Sequence, residues 1–476
     1  MNRAKTALEV FAIALLDAAS LVAVFKAATF LRLEVLPAFY SGFPASGPSG
    51  SVLKVWWVFL LWGFFLLYEG LYTRRFSFWD EIKALWRSAF LATAGVLVVT
   101  SLGKLSSEIS RTVVLLTGVL ALAFLPVTRM LGKKLLRRAG LLKRRVLVLG
   151  AGETGRLISN ALKKEPNYGY AVIGYLDDDP AKVGSSIDGI KVHRGTDQAV
   201  RYLARARITD LIIAMPGAGG QRLQELINAL QHKAARVLLV PDIFGMAVLG
   251  TSLQHFFQEQ AIALEVRNNL ARPFNQAVKR VFDYTLGVVL FVLLALPLAL
   301  LAAMVKATSE GPALFAQERV GKGGRVFRCY KFRTMYRDAE ERLRDILTSD
   351  PGAREEWEAH WKFRDDPRVT PLGRILRTTS LDELPQLLNV LRGDMSLVGP
   401  RPYLPREKNF LVPSGETLLS VLPGITGLWQ VSGRSNTSYT YRISLDTWYV
   451  RNWNLWLDVV ILLKTVSVVL RREGAN

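Results

Sequence analysis

Four stretches of almost uninterrupted apolar residues come early in the chain, at 7–31, 52–72, 84–103 and 111–131. Each is close to the roughly 20 residues that cross a bilayer as a helix. Asp17 and Lys26 interrupt the first, which lacks a small-residue cleavage site after a short apolar core. It is therefore expected to be an anchor and not a signal peptide. Asp17 and Lys26 are expected to be bundle-internal or a snorkelling pair, because no chain of such residues marks an ion path. From residue 145 the pattern changes. Short apolar runs at 145–150 (RVLVLG), 171–176, 210–215 (DLIIAM) and 236–242 (RVLLVPD) alternate with helical lengths, one of them near 219–232. That alternation predicts a parallel sheet. A fifth apolar stretch, 281–305, is again long enough to span, but Pro297 lies inside it.

Basic residues decide how these stretches are oriented. Arg3 and Lys5 precede the first, Arg74, Arg75 and Lys83 separate the second from the third, and Lys133, Lys134, Arg137, Arg138, Lys143, Arg144 and Arg145 follow the fourth. Residues 34–51 hold no cation. The positive-inside rule then puts the N-terminus and everything after residue 131 in the cytoplasm. Both flanks of the fifth stretch are positive as well, with Lys279 and Arg280 before it and Lys306, Arg319, Lys322 and Arg325 after it. An ordinary span kinked at Pro297 would put one basic flank on the wrong side. The charges favour a helix that enters the inner leaflet, bends at Pro297, where a backbone donor is missing, and returns. The expected organisation is a membrane protein with four N-terminal transmembrane helices (1–131), a Rossmann-like α/β domain (132–275) and a C-terminal α/β domain (276–476) with a re-entrant helix at 281–305.

Composition narrows the class. The 476 residues include 61 Lys+Arg against 40 Asp+Glu, a net charge of +21, and half are hydrophobic. That apolar content excludes disorder. The charge flanks apolar spans, which argues for membrane surfaces over nucleic acid. A single cysteine, Cys329, excludes an intramolecular disulfide and a zinc ribbon. The histidines, His193, His232, His255 and His360, form no HExxH pair.

Gly150, Gly152 and Gly155 form a GxGxxG between a strand and a helix, and the next strand ends at Asp177, Asp178 and Asp179. This is the dinucleotide spacing: glycines for close approach, a helix N-terminus for pyrophosphate, an acid for ribose. The same glycines could serve only helix–strand packing, so nucleotide binding at Gly150, Gly152, Gly155 and Asp177 stays open. No tyrosine has a lysine four residues on, which counts against short-chain epimerase or dehydratase chemistry.

The last third carries interleaved cations and aromatics: Arg319, Arg325, Arg328, Tyr330, Lys331, Phe332 and Arg333, then Arg374 and Arg377, then Thr378–Pro385 (TTSLDELP) and Gly399-Pro400-Arg401-Pro402. In the last of these the prolines stiffen a loop, the glycine lets backbone approach a ligand, and the arginine offers a fork for phosphate. Asp382 and Glu383 would supply a nucleophile and a hard oxygen ligand for Mg²⁺. Ser380-x-x-Glu383 is equally a helix capping box. Trp448, Trp453 and Trp456 beside 457–463 (LDVVILL) read either as an interfacial aromatic set or as core.

From Lys279 onward the chain resembles the bacterial polyprenyl-phosphate hexose-1-phosphate transferases, the monotopic phosphoglycosyl transferases. The likeness rests on KRVFDY (279–284), GPALFAQERVG (311–321), YKFRTM (330–335), the run from Asp365 to Pro402, PGITGLWQVSGR (423–434) and SLDTWYVRNWNLWLDVVILLKT (444–465). Four spans and a Rossmann-like module ahead of it resemble the large subfamily. The resemblance implies transfer of a hexose-1-phosphate, with galactose the expected hexose, from a UDP-sugar to undecaprenyl phosphate. UMP would be released and a covalent aspartyl-phosphosugar formed, in O-antigen or exopolysaccharide synthesis at the cytoplasmic face of the inner membrane. It implies Asp382 as nucleophile, Glu383 as Mg²⁺ ligand, and Lys331, Arg333, Arg401 and Asp446 around the substrate phosphates. Arg280, Asp283 and Pro297 would belong to the re-entrant helix, and the assembly would be a homodimer. One departure is Leu296-Pro297 where small members often have Ser-Pro, which bears on backbone capping at the bend. The alternatives are a membrane-anchored nucleotide-sugar epimerase or dehydratase acting through the Rossmann module, and a non-catalytic scaffold of polysaccharide assembly.

Overall fold

The computed structural model describes residues 3–40, 42, 52–206, 208–241, 252–256, 261–265, 269–360, 363, 366–411, 414–432 and 439–471. The chain divides into two compact units, Met1–Asp242 and Ile243–Asn476.

In the first unit three helical segments, Lys5–Phe39, Phe78–Leu102 and Arg111–Arg138, are long and apolar enough to cross a membrane. The second apolar stretch, expected over 52–72, is helical only over the 13 residues Trp56–Tyr68. Gly70 stops it: with φ +76 it closes a Schellman turn in which Gly70 N–H donates to Leu67 O and Leu71 N–H to Leu66 O. Phe25, Trp62, Leu66, Leu85, Val113 and Leu125 pack these helices together, while Phe11, Leu60, Phe64, Phe90 and Val119 face outward. An apolar exterior around an apolar interior is what a lipid environment requires.

Asp17 and Lys26 do not pair with each other. Asp17 accepts from the Tyr72 hydroxyl at 2.8 Å and lies 3.5 Å from Arg129, whereas Lys26 is exposed. About two and a half helical turns separate them, which puts them on opposite faces. Arg129 is also 3.3 Å from Glu81, which Lys133 holds as well, so the bundle interior contains a compact charge network.

Beyond the helices, β1 (Arg144–Leu149), β2 (Tyr170–Asp177), β3 (Ser186–Ile187), β4 (Ile190–Arg194), β5 (Asp210–Ile213) and β6 (Arg236–Leu239) form one sheet in the order β3-β4-β2-β1-β5-β6. All neighbours are parallel except β3 and β4. The expected parallel sheet is therefore present. Its central strands are buried on both faces at Val146–Leu149 and Asp210–Ile213, which explains their unbroken apolar pattern.

The second unit contains an antiparallel hairpin, β7 (Ser252–Phe256) with β8 (Ala261–Glu265), and a long helix, Pro273–Thr308, with Pro297 inside it. This helix is a fourth segment of spanning length. A second antiparallel pair, β9 (Leu314–Val320) and β10 (Val326–Phe332), and a short parallel pair, β11 (Ser396–Val398) and β12 (Gly424–Thr426), sit among the helices Pro371–Thr379, Leu387–Arg392, Tyr439–Asn452 and Leu455–Arg471. The core includes Cys329, Leu387, Val390, Leu397, Tyr449, Trp453 and Ile461. Trp453 is thus core and not interfacial, whereas Trp448 and Trp456 are half-buried.

The start of the long helix is tied into this core by charge. Lys279 Nζ lies 2.7 Å from Asp458 and 3.7 Å from Asp283. Asp458 also accepts from the Tyr449 hydroxyl (2.6 Å) and Trp453 Nε1 (3.0 Å), and Asp283 from Ser396 Oγ (2.7 Å) and Leu397 N–H (3.2 Å). Removing the one cation leaves two buried carboxylates. Lys279→Ala is therefore expected to cost about 3 kcal/mol or more, read as a lowered thermal midpoint. The far end of the helix is held too. Val305 packs on Phe332 and Leu376, and the Arg333 guanidinium donates to Ser309 O at 2.7 Å, Ser309 Oγ at 2.8 Å and Pro312 O.

Candidate active site

The helix Pro371–Thr379 ends at Ser380, whose φ of +57 turns the chain into a 3₁₀ segment, Leu381–Gln386. The capping-box expectation fails here. A capping serine is extended and bonds forward through its hydroxyl, but Ser380 is left-handed and makes no side-chain cap. Glu383 points elsewhere, to Lys331 Nζ at 2.7 Å on β10.

Asp382 is 8% exposed. Burial pushes its carboxyl up to about 6, and adjacent Glu383 adds to the rise, while Lys331 and Arg377 pull it back. Arg377 is oriented by a 2.9 Å bond from Nε to Thr334 Oγ1. The result is a basic carboxylate that two cations keep within reach of ionisation near neutrality. Expected residues Asp382, Glu383 and Lys331 come together; Arg377 joins them, although the sequence reading noted it only as a nearby cation.

The Gly399–Pro402 loop is positioned from two sides. Arg319 Nη1 on β9 donates to Pro402 O at 3.0 Å, and Nη2 to Gln317 Oε1 at 2.7 Å. Asp446 accepts from Arg401 N–H at 3.1 Å and from the Tyr403 hydroxyl at 3.0 Å. Burial raises the Asp446 carboxyl to about 7, and its Oδ1 makes no hydrogen bond among the described residues. The Arg401 guanidinium lies 5.5 Å from the Trp429 ring centroid. Asp446 thus holds the Gly399–Pro402 loop by its backbone. Gly399 also has a different reason from the one expected. A Cβ there would collide with Gly424 N and Leu422 O, so the close approach is to the chain's own backbone.

Arg333, Arg280 and Asp283 are not part of this cluster. Arg333 is taken up by the end of the long helix, and Arg280 and Asp283 lie at its start. In the first unit Gly150 has φ +98, and a Cβ on Gly155 would strike Gly150 O, while nothing lies within 4 Å of a Cβ on Gly152. Asp177 turns inward: its oxygens accept from Ala151 N–H at 2.7 Å and Asp179 N–H at 2.9 Å, so this acid shapes the glycine loop itself.

A divalent ion would find only the Asp382–Glu383 pair here; no cluster of three or more His, Cys, Asp or Glu occurs among the described residues. Glu383 offers the hard oxygen that Mg²⁺ takes, an ion commonly held by one or two carboxylates with phosphate and water completing its shell, and Asp382 is left for the nucleophile.

Residues 274–472 match the family described as Bacterial sugar transferase, and residues 68–241 match the one described as CoA-binding domain. The chain is 38% identical over 405 residues, 85% of its own length and 84% of the relative's, to a protein of Erwinia amylovora named UDP-galactose-lipid carrier transferase. It is 37% identical, over the same shares of both chains, to the undecaprenyl-phosphate galactose phosphotransferase of Salmonella typhimurium. Over 71% of its length and 70% of the relative's it is 31% identical to the UDP-glucose:undecaprenyl-phosphate glucose-1-phosphate transferase of Escherichia coli.

Proposed function

The chain belongs to the bacterial sugar transferase family, and from that premise we propose that it transfers galactose-1-phosphate from UDP-galactose to undecaprenyl phosphate, releasing UMP. The reaction would take place at the cytoplasmic face of the inner membrane, as the first membrane step of O-antigen or exopolysaccharide synthesis. The observation that carries the reading is the buried, basic carboxyl of Asp382 beside the Lys331–Glu383 pair.

In this mechanism an Asp382 oxygen attacks the sugar-bearing phosphorus. The bond from that phosphorus to the bridging oxygen breaks, and its electron pair leaves with UMP. An oxygen of undecaprenyl phosphate then attacks the same phosphorus and frees the Asp382 carboxylate. Burial makes the carboxylate more basic and so a stronger nucleophile. Lys331 and Arg377 offset the repulsion between that anion and the diphosphate. Mg²⁺ held by Glu383 would add positive charge on the diphosphate. Arg401 is the phosphate fork, and Arg319 and Asp446 fix its loop.

The pH dependence has a definite sign. Only the ionised carboxylate attacks, so turnover is expected to rise with pH through about 6 and then level off. Lys331→Met removes a charge that holds the Asp382 carboxyl down, so its inflection is expected to move upward from that of the unsubstituted protein; an unmoved inflection would assign the titration to another group.

The same reading takes 281–305 as re-entrant. Asp283 and Val305 are both packed on the second unit. As a straight helix the 22 steps between them would rise about 33 Å, close to the whole hydrocarbon thickness. One unit on one side of the bilayer holds both ends if the helix bends at Pro297, where Leu293 O has no N–H to accept. Cysteines placed at Gln276 and Lys306 are expected to react with impermeant reagent from the cytoplasmic side only.

The test of function is UMP release by the full chain in lipid particles with Mg²⁺, undecaprenyl phosphate and a panel of UDP-sugars. Lipid-dependent release from UDP-galactose supports the reading, and release from UDP-glucose alone would replace the hexose. The particle mass tests the homodimer that the family resemblance implies.

A further inference from the structure

At the start of the long helix the second unit has a cavity of about 420 Å³, with Ala277, Lys279, Arg280, Asp283, Lys322 and Ser420 in its wall. Three of these are cations and one is an acid. The acid is already satisfied, since Asp283 accepts from Ser396 Oγ and Leu397 N–H and lies beside Lys279. Lys279 is satisfied by Asp458 and Asp283. The positive charge left for an occupant is that of Arg280 and Lys322. Arg280 lies 4.5 Å over the Tyr284 ring and donates through Nη2 to the Tyr284 hydroxyl at 3.2 Å. Its Nη1 is buried and makes no hydrogen bond among the described residues. Lys322 is exposed, and its Nζ lies 3.4 Å from Gln276 Oε1. A guanidinium with an unsatisfied nitrogen and an exposed ammonium in the wall of one cavity, whose acid is spoken for, call for an occupant with anionic acceptor oxygens.

The surroundings say which kind. One turn beyond Ala277 and Arg280 on the same helix face, Val281 is 66% exposed and Tyr284 37%, and Val288 further on is 48% exposed. A soluble anion has no use for that apolar strip. A phospholipid uses both parts: its phosphate meets Arg280 and Lys322, and its acyl chains run along the strip.

We propose that this cavity binds the headgroup phosphate of an anionic glycerophospholipid, between the Arg280 guanidinium and Lys322 at the mouth of the membrane helix. The inference rests on the reading that this helix enters the bilayer. The site is separate from the reacting carboxylate. Lys331, Arg377, Asp382, Glu383 and Arg401 are not among the residues of its wall, so a phosphate here is a structural lipid and not the acceptor.

The full chain is assembled in phosphatidylcholine nanodiscs with increasing phosphatidylglycerol, and its thermal midpoint is followed. The midpoint is expected to rise with saturation. In R280Q/K322Q the apparent affinity is expected to fall about tenfold or more, the loss of charge-assisted bonds to a phosphate. Ser420→Asp, which puts a carboxylate on the exposed rim and leaves both cations in place, is expected to weaken it as well, so the result does not hang on one variant's folding. K306Q/R325Q removes the same charge elsewhere on the surface and is expected to behave as the parent. Unchanged lipid dependence in R280Q/K322Q and Ser420→Asp, or an equal loss in K306Q/R325Q, overturns the site in favour of general surface potential. An equal rise with inorganic phosphate overturns the lipid assignment in favour of a soluble anion. UMP release from UDP-galactose by the parent protein in the same discs reports separately on the proposed activity.

Discussion

Asp382→Asn is expected to abolish lipid-dependent UMP release, by about a thousandfold or more, because the amide keeps the shape of the carboxyl and loses the negative charge that makes its oxygen a nucleophile. It is also expected to leave no labelled protein after incubation with radiolabelled UDP-sugar in the absence of acceptor, where the parent chain carries one sugar-phosphate. The thermal midpoint should stay level or rise, since a carboxyl whose affinity for protons burial has raised is replaced by a neutral group. A variant that kept its turnover would assign the nucleophile to another residue, and one that lost turnover yet kept full biological activity would bring back the reading of the domain as a scaffold.

Asp446 separates positioning from chemistry. Asp446→Ala leaves Arg401 N–H and the Tyr403 hydroxyl without their shared buried acceptor, which costs about 1–3 kcal/mol for each group. The loop carrying Arg401 then loses its registration, and a displacement of that kind is expected to lower turnover about a hundredfold. Asp446→Asn still offers an oxygen to both donors and should stay within about tenfold of the parent. Equal and severe losses in both variants would instead mean that the Asp446 carboxyl, raised to about 7, exchanges a proton during the reaction. Steady-state rates of the two variants across pH decide between these outcomes.

Much of this architecture is legible in the residue pattern because membrane helices and parallel strands announce themselves through continuous apolar runs. The parallel sheet and the spanning-length helices follow from that alone. What stays hidden depends on single backbone conformations and on partners distant in sequence. Nothing in the run 52–72 shows that Gly70 will end the helix at Tyr68, because the apolar residues continue past it. Ser380-x-x-Glu383 has the spelling of a cap, and only the left-handed φ of Ser380 reveals that Glu383 belongs to Lys331. Asp177 stands where a ribose acid would stand, yet its oxygens serve the glycine loop. Arg333 shares a motif with Lys331 but is consumed by helix carbonyls, a division of labour that spacing does not encode.

That division has a consequence for where the reaction happens. Lys331 reaches Glu383 next to the proposed nucleophile, Phe332 packs on Val305, and Arg333 donates to Val305 O and Ser309 O at the end of the long helix. Consecutive strand residues advance about 3.4 Å, so the span from reagent to anchor is about 7 Å of nearly inextensible chain. One substrate is dissolved in water and the other can never leave the lipid. On the proposed reading, in which the long helix enters the bilayer, the short tether would work for such a pair as a depth gauge that sets the altitude of the chemistry above the hydrocarbon, and one residue added between Lys331 and Arg333 is expected to miscalibrate it.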